Sequence, residues 1–238
     1  MSLRKGIFLL GMMGIFAMGV VRADKLPIAL VGDGYGEMEI KHLIKNVFDI
    51  ELVSELYENR GANLPASEFA NYRLVIIAGM LSEFTYSAED THTIAEYVRN
   101  GGRLLMIQQA PKNFTVSEDG VDRGDNYIFG RSYYQRDGVE CMLLDANSPL
   151  LEGVFDAFPE PFWLNGSVLL KSLEWTSLVG NENFILVGAR EMEKGKVYYL
   201  GHESFRLTSK AKQEGLEDQV QGWFRLIVNI IRDENGDL

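Results

Sequence analysis

Uninterrupted apolar runs that end on glycine constrain this chain most. Leu26-Pro27-Ile28-Ala29-Leu30-Val31-Gly32 is one, and Arg73-Leu74-Val75-Ile76-Ile77-Ala78-Gly79 is the clearest. A strand with one wet face alternates apolar and polar residues. A strand with no polar face must be covered on both sides, which is the situation in a parallel sheet flanked by helices. Arg103-Leu104-Leu105-Met106-Ile107 and Lys196-Val197-Tyr198-Tyr199-Leu200 read the same way, and Ile50 to Leu56 reads as a further strand.

The segments between these runs carry helical spacing. Met38, Ile40, Leu43, Ile44, Val47 and Phe48 recur on one face, with Glu39, Lys41, His42 and Lys45 between them. Ser87 followed by Asp90 is a capping box, and Ile94, Ala95 and Val98 supply the apolar stripe behind it. Asn100-Gly101-Gly102 closes that helix as a left-handed cap does. Alternation of strand and helix requires right-handed crossovers and a mostly parallel sheet. The expected architecture is an α/β, flavodoxin-like, doubly wound sheet with helices on both faces.

Beyond Ile107 the pattern changes. Residues 110–137 are polar and glycine-bearing and read as an inserted loop. Val139–Leu144, Ser167–Leu173, Phe184–Ala189 and Lys196–Leu200 then look like strands joined by turns. Glu193-Lys194-Gly195-Lys196 suits a hairpin, so a partly antiparallel flank is expected. A last helix buries Leu216, Val220, Trp223, Phe224, Ile227, Val228 and Ile231.

The first residues have the layout of a secretory signal: Arg4 and Lys5, an apolar or glycine run from Ile7 to Val21, and Val21-Arg22-Ala23 before Asp24. The apolar run is shorter than the roughly 20 residues of a membrane-spanning helix. Cleavage after Ala23 and export are therefore expected, with residues 24–238 as one domain and no membrane attachment thereafter. Removing that segment leaves 20 Lys+Arg against 34 Asp+Glu, a net charge of −14. Such a surface repels phosphate backbones, so nucleic acid is not the expected partner. The single cysteine, Cys141, sits in Val-Glu-Cys-Met-Leu-Leu and reads as a buried apolar residue, not a reactive thiol.

Three stretches resemble the class I glutamine amidotransferase-like superfamily, and more closely its ThuA-like and galactosidase-associated branches. They are Tyr72–Gly79 with Val98–Leu105, Ser148-Pro149-Leu150-Leu151-Glu152-Gly153-Val154, and Gly195–His202. Catalytic members of that superfamily carry a cysteine in a Gly-x-Cys-x-Gly turn after the strand matching Arg103–Ile107. This chain has Gln108-Gln109-Ala110-Pro111 there. The family's His-x-Glu near the last strand is matched by His202 directly followed by Glu203, a different spacing. Hydrolysis of glutamine through a covalent thioester is not supported.

In open α/β sheets, ligands bind beyond the carboxyl ends of the strands. That rule gathers Asp33, Tyr35, Gly79, Met80, Gln108, Gln109, His202 and Glu203 as candidates. Carboxylate, imidazole, amide and phenol groups suit a small polar ligand such as a sugar. The alternatives are a hydrolase working through His202 with Glu203 or Asp33, and a structural module that assembles with an enzyme or another protein partner. Gly32-Asp33-Gly34-Tyr35-Gly36 is only part of a phosphate-binding loop. Asp119, Asp122 and Asp125 lack the spacing of a calcium site and read as a solvated loop. No cofactor and no metal is expected. Phe114, Tyr127, Phe129, Tyr133 and Tyr134 suit either a docking surface or anchorage of the inserted loop.

Overall fold

The structure is a computed structural model that describes residues 28–32, 52–53, 64–79, 85–114, 128–154, 162–201 and 217–234. It is a mixed α/β fold built on one curled sheet of nine strands. In chain order these are β1 (Ile28–Val31), β2 (Leu52–Val53), β3 (Leu74–Ala78), β4 (Arg103–Ile107), β5 (Ser132–Leu143), β6 (Phe162–Leu170), β7 (Thr176–Gly180), β8 (Phe184–Met192) and β9 (Gly195–Leu200). Two α-helices are described, α1 (Ala88–Arg99) and α2 (Glu217–Glu234), with short 3-10 turns at Ala66–Asn71, Ala110–Asn113 and Pro149–Leu151.

The sheet order is β2-β1-β3-β4-β9-β8-β6-β5-β7. The first five strands pair in parallel. From β9 onward every pairing is antiparallel. β7 pairs with both β5 and β8, so β5, β6, β7 and β8 close on themselves as a small curled flank.

The unbroken apolar runs are explained by coverage on both faces. Ile28, Leu30, Leu74, Ile76, Leu105, Ile107 and Leu200 pack with Trp223, Ile227, Ile230 and Ile231 of α2. The alternate residues Ala29, Val31, Val75, Ile77, Leu104, Met106, Val197 and Tyr199 pack with Ile94, Ala95 and Val98 of α1 and with Phe69. Each fully buried aliphatic side chain contributes roughly 1.5–3 kcal/mol, so these two layers dominate the fold's stability. The helix expected over Met38–Phe48 lies outside the described residues.

α1 begins as its sequence dictates. The Asp90 amide donates to Ser87 Oγ at 3.0 Å, and the Ser87 amide donates back to the Asp90 carboxylate at 3.3 Å. The helix ends with Gly101 in the left-handed region, φ +108°, and a Cβ on Gly102 would collide with the Tyr97 ring. Only glycine permits that close approach of chain to ring. At the other end of the chain, α2 is fastened by buried Asn229. Its Nδ2 donates to the Leu150 and Glu152 carbonyls at 3.0 Å each, which docks the Pro149–Leu151 turn. Asp233 accepts from Tyr198 Oη (2.5 Å), Lys196 Nζ (3.2 Å) and Arg103 (3.4 Å), tying the helix end to β4 and β9.

The flank departs from expectation in three places. β5 starts at Ser132, inside the segment read as a loop, and β6 starts at Phe162 instead of Ser167. β7 was not anticipated. The added stretches of β5 and β6 gain strand structure by pairing with each other, and β7 by pairing with β5 and β8, not from any period in their own residues. Among the described residues, no helix is long and apolar enough to cross a membrane.

Candidate functional site

The parallel strands finish in register. Val31 pairs with Ile77, Ala78 with Ile107, and Ile107 with Leu200. Their carboxyl ends therefore deliver Gly32, Gly79, Gln108 and Gly201 to one rim. Backbone bonds continue past the strands: the Gly79 amide donates to the Ile107 carbonyl at 3.2 Å and the Gln108 amide to that of Leu200 at 2.7 Å. Gly32 fits because a Cβ there would collide with the Ala78 carbonyl oxygen. Of the candidates, the structure brings Gly79, Gln108 and Gln109 together. Asp33, Tyr35, Met80, His202 and Glu203 lie outside the described residues, although Asp33 and His202 directly follow Gly32 and Gly201 in sequence.

Gln108 is the distinctive residue of the rim. It is 7% exposed and has φ +57°, one of two non-glycine residues with positive φ among those described. That conformation costs a residue bearing a Cβ roughly 1–2 kcal/mol. The surroundings hold it: Tyr199 Oη donates to the Gln108 carbonyl at 3.0 Å, both groups being buried, while the Gln108 amide is bound to β9. Complete burial pushes the Tyr199 phenol well above its ordinary pKa, so it is a neutral donor at physiological pH. The chain then turns through Ala110–Asn113, with Pro111 near the start of the turn, where its missing amide is not needed. Gln109 is partly exposed, and its Oε1 accepts from Lys112 Nζ at 2.8 Å.

Two rim residues, Tyr199 and Lys112, were not among the sequence candidates. Strand alternation puts Tyr199 and Gly201 on one face, a signal that was available. Lys112 gave none.

Cys141 does not belong to the rim. It is 1% exposed, on β5, within the core layer shared with Val168, Leu178 and Val179. Burial first, and the Glu140 carboxylate second, push its thiol up to about 11. It is protonated at neutral pH and shielded, the opposite of a nucleophile.

The aromatic residues near the inserted segment divide. Phe114 and Phe129 are buried, with ring centroids 4.6 Å apart, and Tyr86 stacks on Phe114 at 5.3 Å. They anchor both ends of that segment to the core. Tyr133 is half-buried under Arg131, whose guanidinium lies 5.0 Å from the ring centre. Tyr127, the Tyr134 side chain and Asp119, Asp122 and Asp125 lie outside the described residues. Among those described, no three His, Cys, Asp or Glu side chains gather as a metal site requires.

An open groove of about 360 Å³ lies between the Ala66–Asn71 turn and α1, lined by Ala66, Tyr72, Arg73, Tyr97, Asn100 and Gly102. It sits at the amino ends of β3 and β4, opposite the rim. None of the described candidate residues, Gly79, Gln108 and Gln109, lines it.

No protein-family model and no curated protein matches the chain. Solved structures do. The cytoplasmic protein STM3548 of Salmonella typhimurium superposes with a TM-score of 0.52 at 15% identity, over 87% of this chain and 98% of that one. A ThuA-like protein of Bacteroides uniformis gives 0.50 at 12% identity, over 87% and 91%. Gan42B, a GH42 β-galactosidase of G. stearothermophilus, gives 0.51 at 17% identity, and the match covers 89% of this chain but only 30% of that much longer one. At these identities the likeness speaks to the fold, and that fold is ThuA-like.

Proposed function

We propose that the chain is an exported, ligand-binding member of the class I glutamine amidotransferase-like superfamily that has lost or diverged from catalysis. In this reading its sheet is doubly wound and flavodoxin-like. The parallel order β2-β1-β3-β4-β9 supports that arrangement, as do the two described helices on opposite faces. The rim at Gly79, Gln108 and Gln109 takes a small polar ligand, with Asp33, Tyr35 and His202 completing it.

One observation carries the reading: a glutamine held buried in the left-handed region at the end of β4. The backbone conformation is a cost to the fold, since glycine would occupy the turn without strain. Backbone strain of this kind clusters where a side chain must be aimed at a ligand. A glutamine offers both a donor and an acceptor and cannot act as an attacking group, which favours binding over covalent chemistry. The acidic net charge argues against nucleic acid as the partner.

A melting-temperature screen of the purified protein against sugars, amino acids and divalent cations tests this. A bound compound raises the melting temperature of the wild type. The shift shrinks in Tyr199→Phe, which loosens the Gln108 turn, and in His202→Ala. If no compound moves the wild-type transition, the rim has no such ligand.

One observation favours a second reading, that the chain assembles with an enzyme. Its fold corresponds to less than a third of a single GH42 β-galactosidase chain, where it is one part of a larger whole. Light scattering of the purified protein mixed with extract fractions active on galactosides distinguishes the two.

A further inference from the structure

The strand β9 ends where the parallel block meets the curled flank. At that junction the Gly201 amide donates to the Leu186 carbonyl at 2.8 Å, and the Ser167 amide donates to the Gly201 carbonyl at 2.9 Å. A Cβ on Gly201 would lie 3.1 Å from the Tyr199 hydroxyl and would collide with the Ser167 carbonyl oxygen. Ser167, Gly201, Tyr199 and the Gln108 carbonyl therefore share one corner of the molecule.

Two serine hydroxyls on this side have no hydrogen-bond partner in the structure. Ser167 Oγ on β6 and Ser132 Oγ on β5 are both unsatisfied, although the residues are only 1% and 5% exposed. Ser132 pairs with Leu169, which packs in the same layer as Tyr199. Ser167 precedes Leu169 by two residues on an unbroken stretch of β6, so both serines face that layer. Diagonal neighbours of this kind lie about 7–8 Å apart. A buried hydroxyl without a partner costs free energy, and alanine would fill either position without that cost.

We propose that Ser167 and Ser132 extend the rim onto the antiparallel flank and bind an uncharged ligand that carries several hydroxyls. This rests on the reading of the Gln108 rim as a ligand site. Each serine can donate one bond and accept two, and the Tyr199 oxygen, having donated to Gln108, can still accept. Ser132 and Ser167 match hydroxyl groups on a small frame. Arg131 and Tyr133 alternate with Ser132 and so face the opposite side of β5. A charged ligand against these serines, which carry no charge of their own, would be penalised by burial.

The test is calorimetric titration and melting of the purified protein with glycerol, myo-inositol and D-glucose, beside L-glutamine and acetamide as compounds poor in hydroxyls. The variants are Ser167→Ala, Ser132→Ala and Tyr199→Phe. The removed hydroxyls have no protein partner, so both serine variants are expected to fold and melt at or above the wild-type temperature. Two separate positions on two strands guard against one misfolding. The expected result is binding of at least one polyol, weakened about tenfold by each serine substitution. Polyol binding that is unchanged in both serine variants overturns the proposal and leaves the rim reading intact. Binding confined to L-glutamine or acetamide, and lost in Tyr199→Phe, does the same. If nothing binds the wild type, both readings fall together.

Discussion

Gln108 offers a clean test of whether its backbone is strained. Two substitutions truncate the same side chain, Gln108→Ala and Gln108→Gly, so the loss of its buried contacts is largely common to both. They differ in the backbone. At φ +57° alanine keeps the penalty of roughly 1–2 kcal/mol that a Cβ suffers in the left-handed region. Glycine removes it but loses about 0.5–1 kcal/mol through the greater freedom of its unfolded chain. The difference leaves glycine ahead by about 0.5–1 kcal/mol. In an ordinary strand or helix the order is reversed, with alanine more stable by a similar amount. The sign alone therefore decides. Urea denaturation at equilibrium gives both free energies, and for a domain of this size the gap corresponds to about 1–4 °C in melting temperature. If alanine matches or exceeds glycine, Gln108 is not strained and the argument from strain to function collapses. Ligand binding should be lost in both variants, which separates the stability effect from the functional one.

Other consequences follow from the packing. Asn229→Ala leaves the Leu150 and Glu152 carbonyls without their shared donor and should destabilise the protein by about 1–3 kcal/mol. Hydrogen exchange at Leu151 and Val154 should accelerate selectively; uniform loss of protection across the sheet would contradict the docking role. Cys141 should resist iodoacetamide in the folded protein at about pH 8 and react only as fast as the chain unfolds. Rapid labelling under native conditions would show the thiol to be accessible. Stability should also fall in alkali. The Cys141 thiol is raised from 9.0 to about 11, so its stabilisation is complete below pH 9.0 and is lost as pH rises through about 11. Burial, with Asp233 second, likewise raises Tyr198, and burial alone raises Tyr199, so the decline continues above their ordinary value of 10.0. Urea midpoints measured between about pH 8 and 11 should drop with pH, and a flat profile would exclude this linkage.

The parallel half of the fold was legible because two signals coincide there. Leu74–Ala78 and Arg103–Ile107 are apolar on both faces, and α1 carries its own cap and terminator in Ser87, Asp90 and Gly101. Local propensity and global burial agree at these residues. The flank was harder because its partners do the specifying. Ser132–Asp137 contains Ser, Gln, Arg and Asp, and only pairing with β6 makes it a strand. Thr176–Gly180 is short and ends on a glycine, and it is held by β5 and β8 together.

At the site, the strand-end rule gathered Gly79 and Gln108, and the structure sets them at neighbouring strand ends, since registered parallel strands end together. It could not foresee the left-handed turn, because nothing in Gln-Gln announces a positive φ. Nor could it foresee that Tyr199 holds the turn, because that bond spans 91 residues of sequence. The unpartnered hydroxyl of Ser167 depends on β6 lying against Gly201, a tertiary fact with no local signature.

The ring formed when β7 bonds to β5 and β8 at once has a consequence for how copies or partners can approach. A sheet recruits a further strand only through a margin whose amides and carbonyls remain unclaimed. Where β7 seats on Met142–Leu143 and on β8, those amides and carbonyls are already claimed and cannot receive a further strand. Among the described strands, β2 ends the parallel half of the sheet, away from this closed corner.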